Sequence, residues 1–211
     1  MARPRRTDEV DTRERLLDAA EEAFGAHGFE RARLEDVAAR AGIQRPSLLY
    51  HFPSKDDLYR EVVHRTFARL GDSLADALRA PRPLAERLDA ATAVWLDRLE
   101  TNPAIARIVL RELVDQRGPG VALVFQEVGP LLDRLEGMLS TALPGAPGSG
   151  PGLRAALLQI ATAALVRSAA GPLAPVLWGE TDRTRDLVRI LFQGALQGAP
   201  NDPEPPSPKE P

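Results

Sequence analysis

Apolar side chains recur along this chain at spacings of three and four residues, which is the period of an amphipathic α-helix. Leu16, Leu17, Ala20 and Phe24 share one face of the first such segment, and acidic residues lie on the other face. Strand-like alternation with a period of two is missing, so the pattern predicts no sheet. Gly and Pro residues divide the helical pattern into about nine segments, and the predicted fold is all-α.

The boundaries of the predicted helices follow from these breaks and from capping residues. The helices cover Thr12–His27, Leu34–Ala41, Arg45–His51, a long helix capped by Ser54, and then Pro83–Thr101, Pro103–Asp115, Val121–Leu143, Leu153–Ala170 and Arg183–Gln197. Residues 144–152 contain three Pro and four Gly and are predicted to form a loop. Six Pro among residues 200–211, without an aromatic or large aliphatic residue, predict a disordered tail.

Two short predicted helices, Leu34–Ala41 and Arg45–His51, are separated by a few residues that include Gly42. This is the spacing of a helix-turn-helix, in which the second helix enters the DNA major groove and contacts bases with its N-terminal residues. The outward positions of the second helix carry groups that can hydrogen-bond a base edge or a phosphate. These are Gln44, Arg45, Ser47, Tyr50 and His51. On spacing alone, an ordinary helical hairpin with a polar outer face explains the pattern equally well.

The distribution of charge changes the balance between these two interpretations. The net charge of −3 over 211 residues argues, as a total, against a nucleic-acid partner. However, residues 7–30 carry two basic and eight acidic residues, whereas residues 31–55 carry five basic and two acidic ones. Contacts to phosphate need local positive charge and not a basic total. The segment around the predicted turn therefore favours DNA binding.

Composition excludes several other kinds of chemistry. The chain has no Cys, which removes disulfides, thiol catalysis and Cys-based metal sites, and its three His are scattered. Without a Ser/His/Asp arrangement we expect no enzyme, no cofactor and no metal. The longest strongly apolar stretch, Ala155–Val166, has twelve residues. A membrane span needs about 20, so we expect no membrane partner and a cytoplasmic location.

The segment from about Thr12 to Val63 resembles the N-terminal domain of the tetracycline-repressor (TetR) family of bacterial transcription regulators. The resemblance is carried by Leu16–Phe24, by Val37–Ile43, and above all by the run Tyr50–Lys55 with Asp56-Asp57-Leu58 after it. It implies a homodimer that binds a near-palindromic double-stranded operator. It also implies C-terminal helices that bind a small-molecule effector, whose binding usually releases the DNA.

With this resemblance the chain divides into four predicted parts. They are a basic N-terminal arm (1–11), a helix-turn-helix DNA-binding domain (12–57), a helical ligand-binding and dimerisation domain (58–198) and the tail (199–211). By family position, Arg45, Pro46 and Ser47 would face base edges. Tyr50, His51 and Lys55 would approach phosphates.

The chain departs from the family pattern at two positions. Leu49 stands where the family usually has Tyr, and we expect the neighbouring Tyr50 to take over that phosphate contact. Ala32-Arg33 stands where a Thr/Ser pair usually opens the second helix, so a hydroxyl cap is lost. Arg33 is the substitute phosphate ligand, and a solvated structural Arg is an equal alternative.

The C-terminal helices carry no residue-level motif, so their candidates come from apolar faces. The candidate effector-binding residues are Trp95, Leu99, Ile108, Arg111, Phe125 and Leu157. The alternative is that Trp95 and Phe125 are plain core and that Arg111 pairs with Glu112 or Asp115. In the family the last two helices form the dimer interface, which places Leu157, Ile160, Ala161, Ala164, Leu187, Leu191 and Ala195 there. Packing within one subunit is the alternative.

The sequence therefore predicts a transcriptional repressor that a small molecule releases from its operator. A ligand-independent regulator or an activator is the alternative. A helical binding protein or an enzyme without DNA binding is a remote alternative of a different class.

Overall fold

The computed structural model describes residues 6–115, 120–142, 151–181 and 183–190, and all regular structure in these ranges is helical. The helices are α1 (Arg6–Arg31), α2 (Leu34–Arg40), α3 (Arg45–His51), α4 (Lys55–Arg79), α5 (Leu84–Thr101), α6 (Ala104–Asp115), α7 (Gly120–Ala142), α8 (Pro151–Ala170) and α9 (Ala174–Trp178). A further helix, α10, covers residues 184–190. The all-α prediction is confirmed. The predicted tail lies outside the described residues.

Helix α1 begins earlier than the sequence predicted. Residues 6–11 are already helical, so the predicted helix start at about Thr12 is too late, and residues 1–5 lie outside the description. The helix turns sharply at Gly28, where φ is +75°, a left-handed conformation that favours glycine. The predicted stop at Gly28 is therefore confirmed, and one further turn follows it up to Arg31.

The long helix α4 joins the two halves of the molecule. Near its start, Leu58 and Val62 are fully buried in a first core cluster that also contains Leu17, Phe24 and Leu48. Further along, Leu70, Leu74 and Leu78 belong to a second core cluster formed with residues of α5, α7, α8 and α10. One continuous helix thus packs in both clusters and connects the two halves of the molecule.

The segment after α8 differs from the prediction. Gly171 has φ +53° and ends α8, and a short 3-10 turn (Gly171–Leu173) leads into α9. By length and composition alone, Leu153–Trp178 is apolar enough to cross a membrane, and it contains the predicted strongly apolar run Ala155–Val166 together with Arg154 and Arg167. Only 17% of its most apolar window is buried. The break at Gly171 divides this stretch into two helices.

Candidate nucleic-acid interface

The turn between α2 and α3 is fixed by backbone hydrogen bonds. The N–H of Ile43 donates to the Ala38 carbonyl (3.0 Å), and the N–H of Gly42 donates to the Ala39 carbonyl (3.1 Å). This is the Schellman motif, and it requires the left-handed conformation that Gly42 adopts at φ +73°. From α1, Arg15 Nη1 donates to the Ala41 carbonyl (3.2 Å). The start of α3 is thereby held in a defined place relative to both preceding helices.

Helix α3 buries one side and exposes the rest. Leu48 is 0% exposed and Phe52, just after the helix, is 3% exposed, so these two side chains fasten α3 to the first core cluster. The α3 outer surface consists of the predicted DNA-contacting residues of this segment. Gln44, Arg45, Pro46, Ser47 and Tyr50 are exposed, and His51 is half-buried. The structure thus brings all six predicted residues onto the part of α3 that faces solvent.

The N-terminus of α2 lacks the hydroxyl cap found elsewhere in the chain. Its N-cap residue is Arg33, which is exposed and makes no side-chain cap hydrogen bond. In contrast, Ser54 caps α4 by accepting a hydrogen bond from the N–H of Asp57 (3.0 Å). The predicted loss of the cap at α2 is confirmed, and the guanidinium of Arg33 stays accessible to a phosphate.

Arg45, at the start of α3, pairs with an acid of its own domain. Its Nε lies 3.0 Å from Glu35 Oε1, and both side chains are more than half exposed. An exposed pair of this kind contributes at most about 1 kcal/mol, because water and salt screen it. Arg45 can therefore exchange Glu35 for a base edge at small cost.

Lys55 is held more firmly than the sequence indicated. Its Nζ donates to the Glu30 carbonyl (3.0 Å) and lies 4.9 Å from the centre of the Phe29 ring. Lys55 thus satisfies a carbonyl at the end of α1. An ammonium has three donors, so two remain for a phosphate.

Arg13 was not singled out in the sequence, although it supports α3. It lies 5.2 Å from the centre of the Phe52 ring and pairs with Glu61 at 2.7 Å. Arg15, which holds the turn, was missed in the same way. With Lys55 and Lys209 as the only Lys, 25 of the 27 basic residues are Arg, so no single Arg stands out from the background.

An ion network centred on the buried Arg65 joins α1 to α4. Arg65 is 8% exposed and pairs with Glu14 (3.1 Å), Asp18 (2.8 Å) and Glu21 (3.2 Å). Thr66 Oγ1 donates to Glu21 Oε1 at 2.7 Å. Burial opposes ionisation of Glu14, but hydrogen bonds from Arg65 and Arg69 outweigh it and lower the pKa of that carboxyl. The orientation of α1 relative to α4 is thereby fixed.

Helix α6 is seated on the same α1–α4 unit. The Tyr59 hydroxyl donates to Glu112 Oε1 (2.7 Å), and Glu112 is 6% exposed. Burial and this hydrogen bond raise the pKa of Tyr59 far above its usual value. Gly28 lies under the Arg111 side chain, too close for a Cβ. Glu112 accepts from Tyr59 and the Arg111 side chain covers Gly28, while the Asp115 side chain, the other predicted partner of Arg111, lies outside the description.

The six predicted effector residues are divided between two core clusters and the surface. Leu99 and Ile108 are buried in the first core cluster, Leu157 contacts the second, and Trp95 contacts both. The Trp95 Nε1 is buried without a hydrogen-bond partner among the described residues. Phe125 is 61% exposed, so the alternative that it is core is wrong, and it faces solvent on α7. Arg111 lies at the α1–α6 contact.

The predicted dimer residues divide into two groups. Ala164 is 3% exposed and belongs to the first core cluster, while Leu157 and Ile160 contact the second. Ala161 is half-buried, and Leu187 is 51% exposed. Leu191 and Ala195 lie outside the described residues. Among the described residues of α8, the large apolar side chains that are exposed are Leu158 and Val166 (42% and 38%), which were not among the predicted residues.

Within the described ranges, no group of three or more His, Asp or Glu side chains is positioned to hold a metal ion.

Comparison with protein families finds a match in the N-terminal part of the chain. Residues 16–62 match the family described as bacterial regulatory proteins, tetR family. The chain is similar to the HTH-type transcriptional activator FasR of Mycolicibacterium smegmatis, with 34% identity over 47% of this chain and 45% of that protein. It is also similar to the HTH-type transcriptional repressor BepR of Brucella suis, with 28% identity over 65% of this chain and 64% of that protein. The match thus spans less than two thirds of the length of either relative.

Comparison with solved structures extends the similarity over most of the fold. A transcriptional regulator from Rhodococcus sp. Rha1 superposes with a TM-score of 0.68 and 24% identity, over 90% of this chain and 99% of that one. The fatty acid degradation regulator FadR from Bacillus halodurans gives a TM-score of 0.67 at 18% identity, over 89% of this chain and 99% of the other. At these identities the likeness establishes the shared all-α fold.

Proposed function

Because residues 16–62 match the family described as bacterial regulatory proteins, tetR family, we propose that the chain is a member of this family and a sequence-specific DNA-binding transcriptional regulator. The observation that carries this proposal is the contrast across α3, where Leu48 is fully buried, five residues of the α3 outer surface are exposed and the sixth, His51, is half-buried. A recognition helix needs this arrangement, since one side must hold it to the domain and the other must enter the groove.

The proposed contacts follow the positions of the side chains. Arg45 and Ser47, in the first turn of α3, face base edges, and Arg45 suits a guanine because its fork can donate two parallel hydrogen bonds. Pro46 and Gln44 border the same end of the helix. Arg33, Tyr50, His51 and Lys55 approach phosphates, which sets the register of the protein on the duplex.

We propose that the regulator is a homodimer that uses α8 and α10. Support comes from apolar side chains left in solvent: Leu158 and Val166 on α8, and Leu187 and Ile190 on α10. On α10 the buried positions are Thr184 and Val188, one helical turn apart, so Leu187 and Ile190 lie on its other side. Four large apolar groups on the last two described helices suit burial by a second copy.

A gel-shift experiment with the DNA upstream of the chain's own gene tests DNA binding. We expect a near-palindromic site with half-sites about one helical turn or a multiple of it apart. Affinity should fall steeply as salt rises, because each phosphate contact releases counterions. Binding that does not depend on salt, or no binding to any site in the region, would contradict the proposal.

We further propose that the protein represses transcription in the cytoplasm, without catalysis, until a small-molecule effector in the C-terminal helices releases it from DNA. The similarity to an activator at 34% identity favours activation as a second candidate. Transcription in vitro from the bound promoter separates the two. A repressor lowers the amount of transcript and an activator raises it, and the effector reverses repression.

A further inference from the structure

A groove of about 540 Å³ runs along the contact between α4 and α5, away from the α3 outer surface. Leu70 of α4 and Val94 of α5 supply apolar lining, and Arg69 and Arg98 supply two guanidinium groups. Its other lining residues are Asp72, Ser73, Asp97 and Thr101. A concave surface with an apolar wall and converging polar groups is typical of a small-molecule site.

The Arg98 guanidinium in this groove is poorly satisfied by the protein. Its Nε is buried without a hydrogen-bond partner among the described residues. Its nearest carboxylate oxygen, Glu21 Oε1, lies 3.5 Å from Nη2, beyond the usual length of about 2.7–2.9 Å for a charge-assisted hydrogen bond. Glu21 already accepts from Thr66 and Arg65. The Arg98 side chain is 27% exposed and lines the groove, so its outer nitrogens can donate to an acceptor bound there.

The surrounding charges restrict what that acceptor is. Arg69 Nη2 is 2.6 Å from Glu14 Oε2, but the side chain is 53% exposed and keeps donors free to reach a ligand. Asp72 pairs with Arg134 (3.1 Å), and Asp97 is exposed. Two carboxylates among the lining residues repel a polyanion such as a nucleotide, whereas a single negative charge between the two arginines is tolerated.

We propose that this groove binds a small organic monocarboxylate, with its carboxylate on Arg98 and Arg69 and its apolar body against Leu70 and Val94. Both arginines also meet acids of α1, Glu14 and Glu21. A bound carboxylate competes with these acids and therefore loosens α1 from α4 and α5. The proposal concerns ligand binding to the isolated protein and does not depend on whether the chain binds DNA.

Binding is tested on the full chain with benzoate as the probe and benzamide as its uncharged counterpart. The Nε–H resonance of Arg98 is followed by ¹⁵N NMR during the titration. We expect a saturable shift with benzoate and none with benzamide. The proposal is overturned if benzoate produces no saturable shift at about 10 mM, a weak affinity by general standards, or if both probes shift the resonance equally.

Two variants localise the site. Arg98→Met should weaken benzoate binding at least about tenfold, since hydrogen bonds to a charged group contribute that much. Arg79→Met, an exposed position on α4 outside the groove, is the matched control and should bind benzoate as the parent does. Unchanged binding by Arg98→Met would refute the site, and the NMR titration of the parent protein decides the matter if that variant does not fold.

The competition with α1 has its own measurement. Benzoate should speed amide hydrogen exchange in α1 around Glu14 and Glu21, while exchange in α7 around Gly137 stays the same. If exchange in α1 slows or does not change although benzoate binds, the competition is refuted.

Discussion

Helices α3 and α8 both leave one side uncovered, but the two sides differ in chemistry. Helix α3 buries Leu48 and presents polar groups to water, whereas α8 buries Ala164 and Leu165 and leaves Leu158 and Val166 in solvent. Polar groups are well hydrated, so the α3 outer surface is stable without a partner. An apolar surface such as that of α8 is more stable when a partner covers it, because the removal of apolar side chains from water is the main favourable term in association. This contrast agrees with the two proposed partners, DNA that binds reversibly at α3 and a second copy that stays bound at α8.

Helix α10, at the end of the described chain, also leaves apolar side chains in solvent, as α8 does. Arg189 of α10 binds Asp89 of α5 through two hydrogen bonds (3.1 and 2.8 Å), which lower the pKa of the Asp89 carboxyl. This anchor, with Val188 at 3% exposed, sets the rotation of α10. Leu187 and Ile190 are left outside at 51% and 64% exposure. The subunit thus holds α10 in a position that exposes apolar side chains.

The largest expected effect comes from placing a charge on the apolar side of α8. Leu158→Glu should convert the proposed dimer into a monomer, because an unpaired charge buried in an interface costs about 3–5 kcal/mol. In a monomer the new carboxylate stays hydrated at a position that is already 42% exposed, so the fold should survive. Analytical ultracentrifugation measures the mass and circular dichroism the helix content.

Ala85→Glu is the matched control for Leu158→Glu. Ala85 is an exposed position near the start of α5, where an added carboxylate stays in water. This variant should keep the oligomeric state of the parent. If Leu158→Glu remains a dimer, the contrast drawn between α3 and α8 is wrong at the α8 side.

The second-largest expected effect compares the two tyrosines of the chain, Tyr50 on α3 and Tyr59 on α4. Tyr59→Phe removes the buried hydrogen bond to Glu112 and should lower the free energy of unfolding by about 1–3 kcal/mol. Tyr50 is 78% exposed on α3, so Tyr50→Phe should leave stability within about 0.5 kcal/mol of the parent. Urea denaturation measures both.

DNA binding should show the opposite order at a temperature where both variants are folded: Tyr50→Phe should change the affinity and Tyr59→Phe should not. Tyr50→Phe should weaken the operator complex if its hydroxyl contacts a phosphate, without a change in sequence preference. Equal losses of stability in the two variants would show that Tyr50 is part of the fold and not of a contact surface.

The third effect concerns specificity. Arg45→Ala should cost about 1–3 kcal/mol at the operator and relax the preference for one base pair, as expected of a direct base contact. Lys55→Ala should weaken all DNA sites about equally. It should also destabilise α1 slightly, because the hydrogen bond to the Glu30 carbonyl is lost. Binding to operator variants, each with one base pair changed, distinguishes a lost base-pair preference from a uniform loss of affinity. If Arg45→Ala keeps the sequence preference of the parent, the proposed docking of α3 is refuted.

How much the sequence predicts depends on whether a feature is local. The bounds of α3, Arg45 and His51, were predicted in full, because Pro46 suits a first turn and Pro53 prevents continuation. The cap by Ser54 is equally local. Hydrophobic period shows which side of a helix is apolar, but it does not show which neighbour that side meets.

Contacts between distant segments escaped the sequence for this reason. Tyr59 and Glu112 are 53 residues apart, and nothing in either segment indicates the hydrogen bond between them. Helix α8 is apolar nearly all round, so its sequence favours no particular side. The predicted dimer residues on it therefore included Ala164, which packs inside the subunit, and omitted Leu158 one position away from Leu157.

The smallest expected effect tests the connection between α4 and α7, and it depends on pH. His64 Nδ1 lies 2.9 Å from Glu127 Oε1, and the hydrogen bond and charge of Glu127 raise the pKa of His64. A raised pKa in the folded state means that protonation stabilises the fold. The stabilisation is complete below the unfolded value of about 6.5 and disappears as the pH rises through the folded value. Because His64 is 59% exposed, it amounts to at most about 1 kcal/mol.

Thermal unfolding of the parent and of His64→Gln at about pH 5.5 and about pH 8 measures this contribution. At about pH 5.5 the parent should unfold at a higher temperature than His64→Gln. This difference between the two proteins should be smaller at about pH 8. His27→Gln, at an exposed position of α1, controls for the loss of an imidazole as such. A difference that grows with pH would mean that neutral His64 is the stabilising form, and the pair would then not fasten α7 to α4 by charge. Since α4 serves both halves of the molecule, that result would leave the apolar contacts of α4 and α7 as the connection between them.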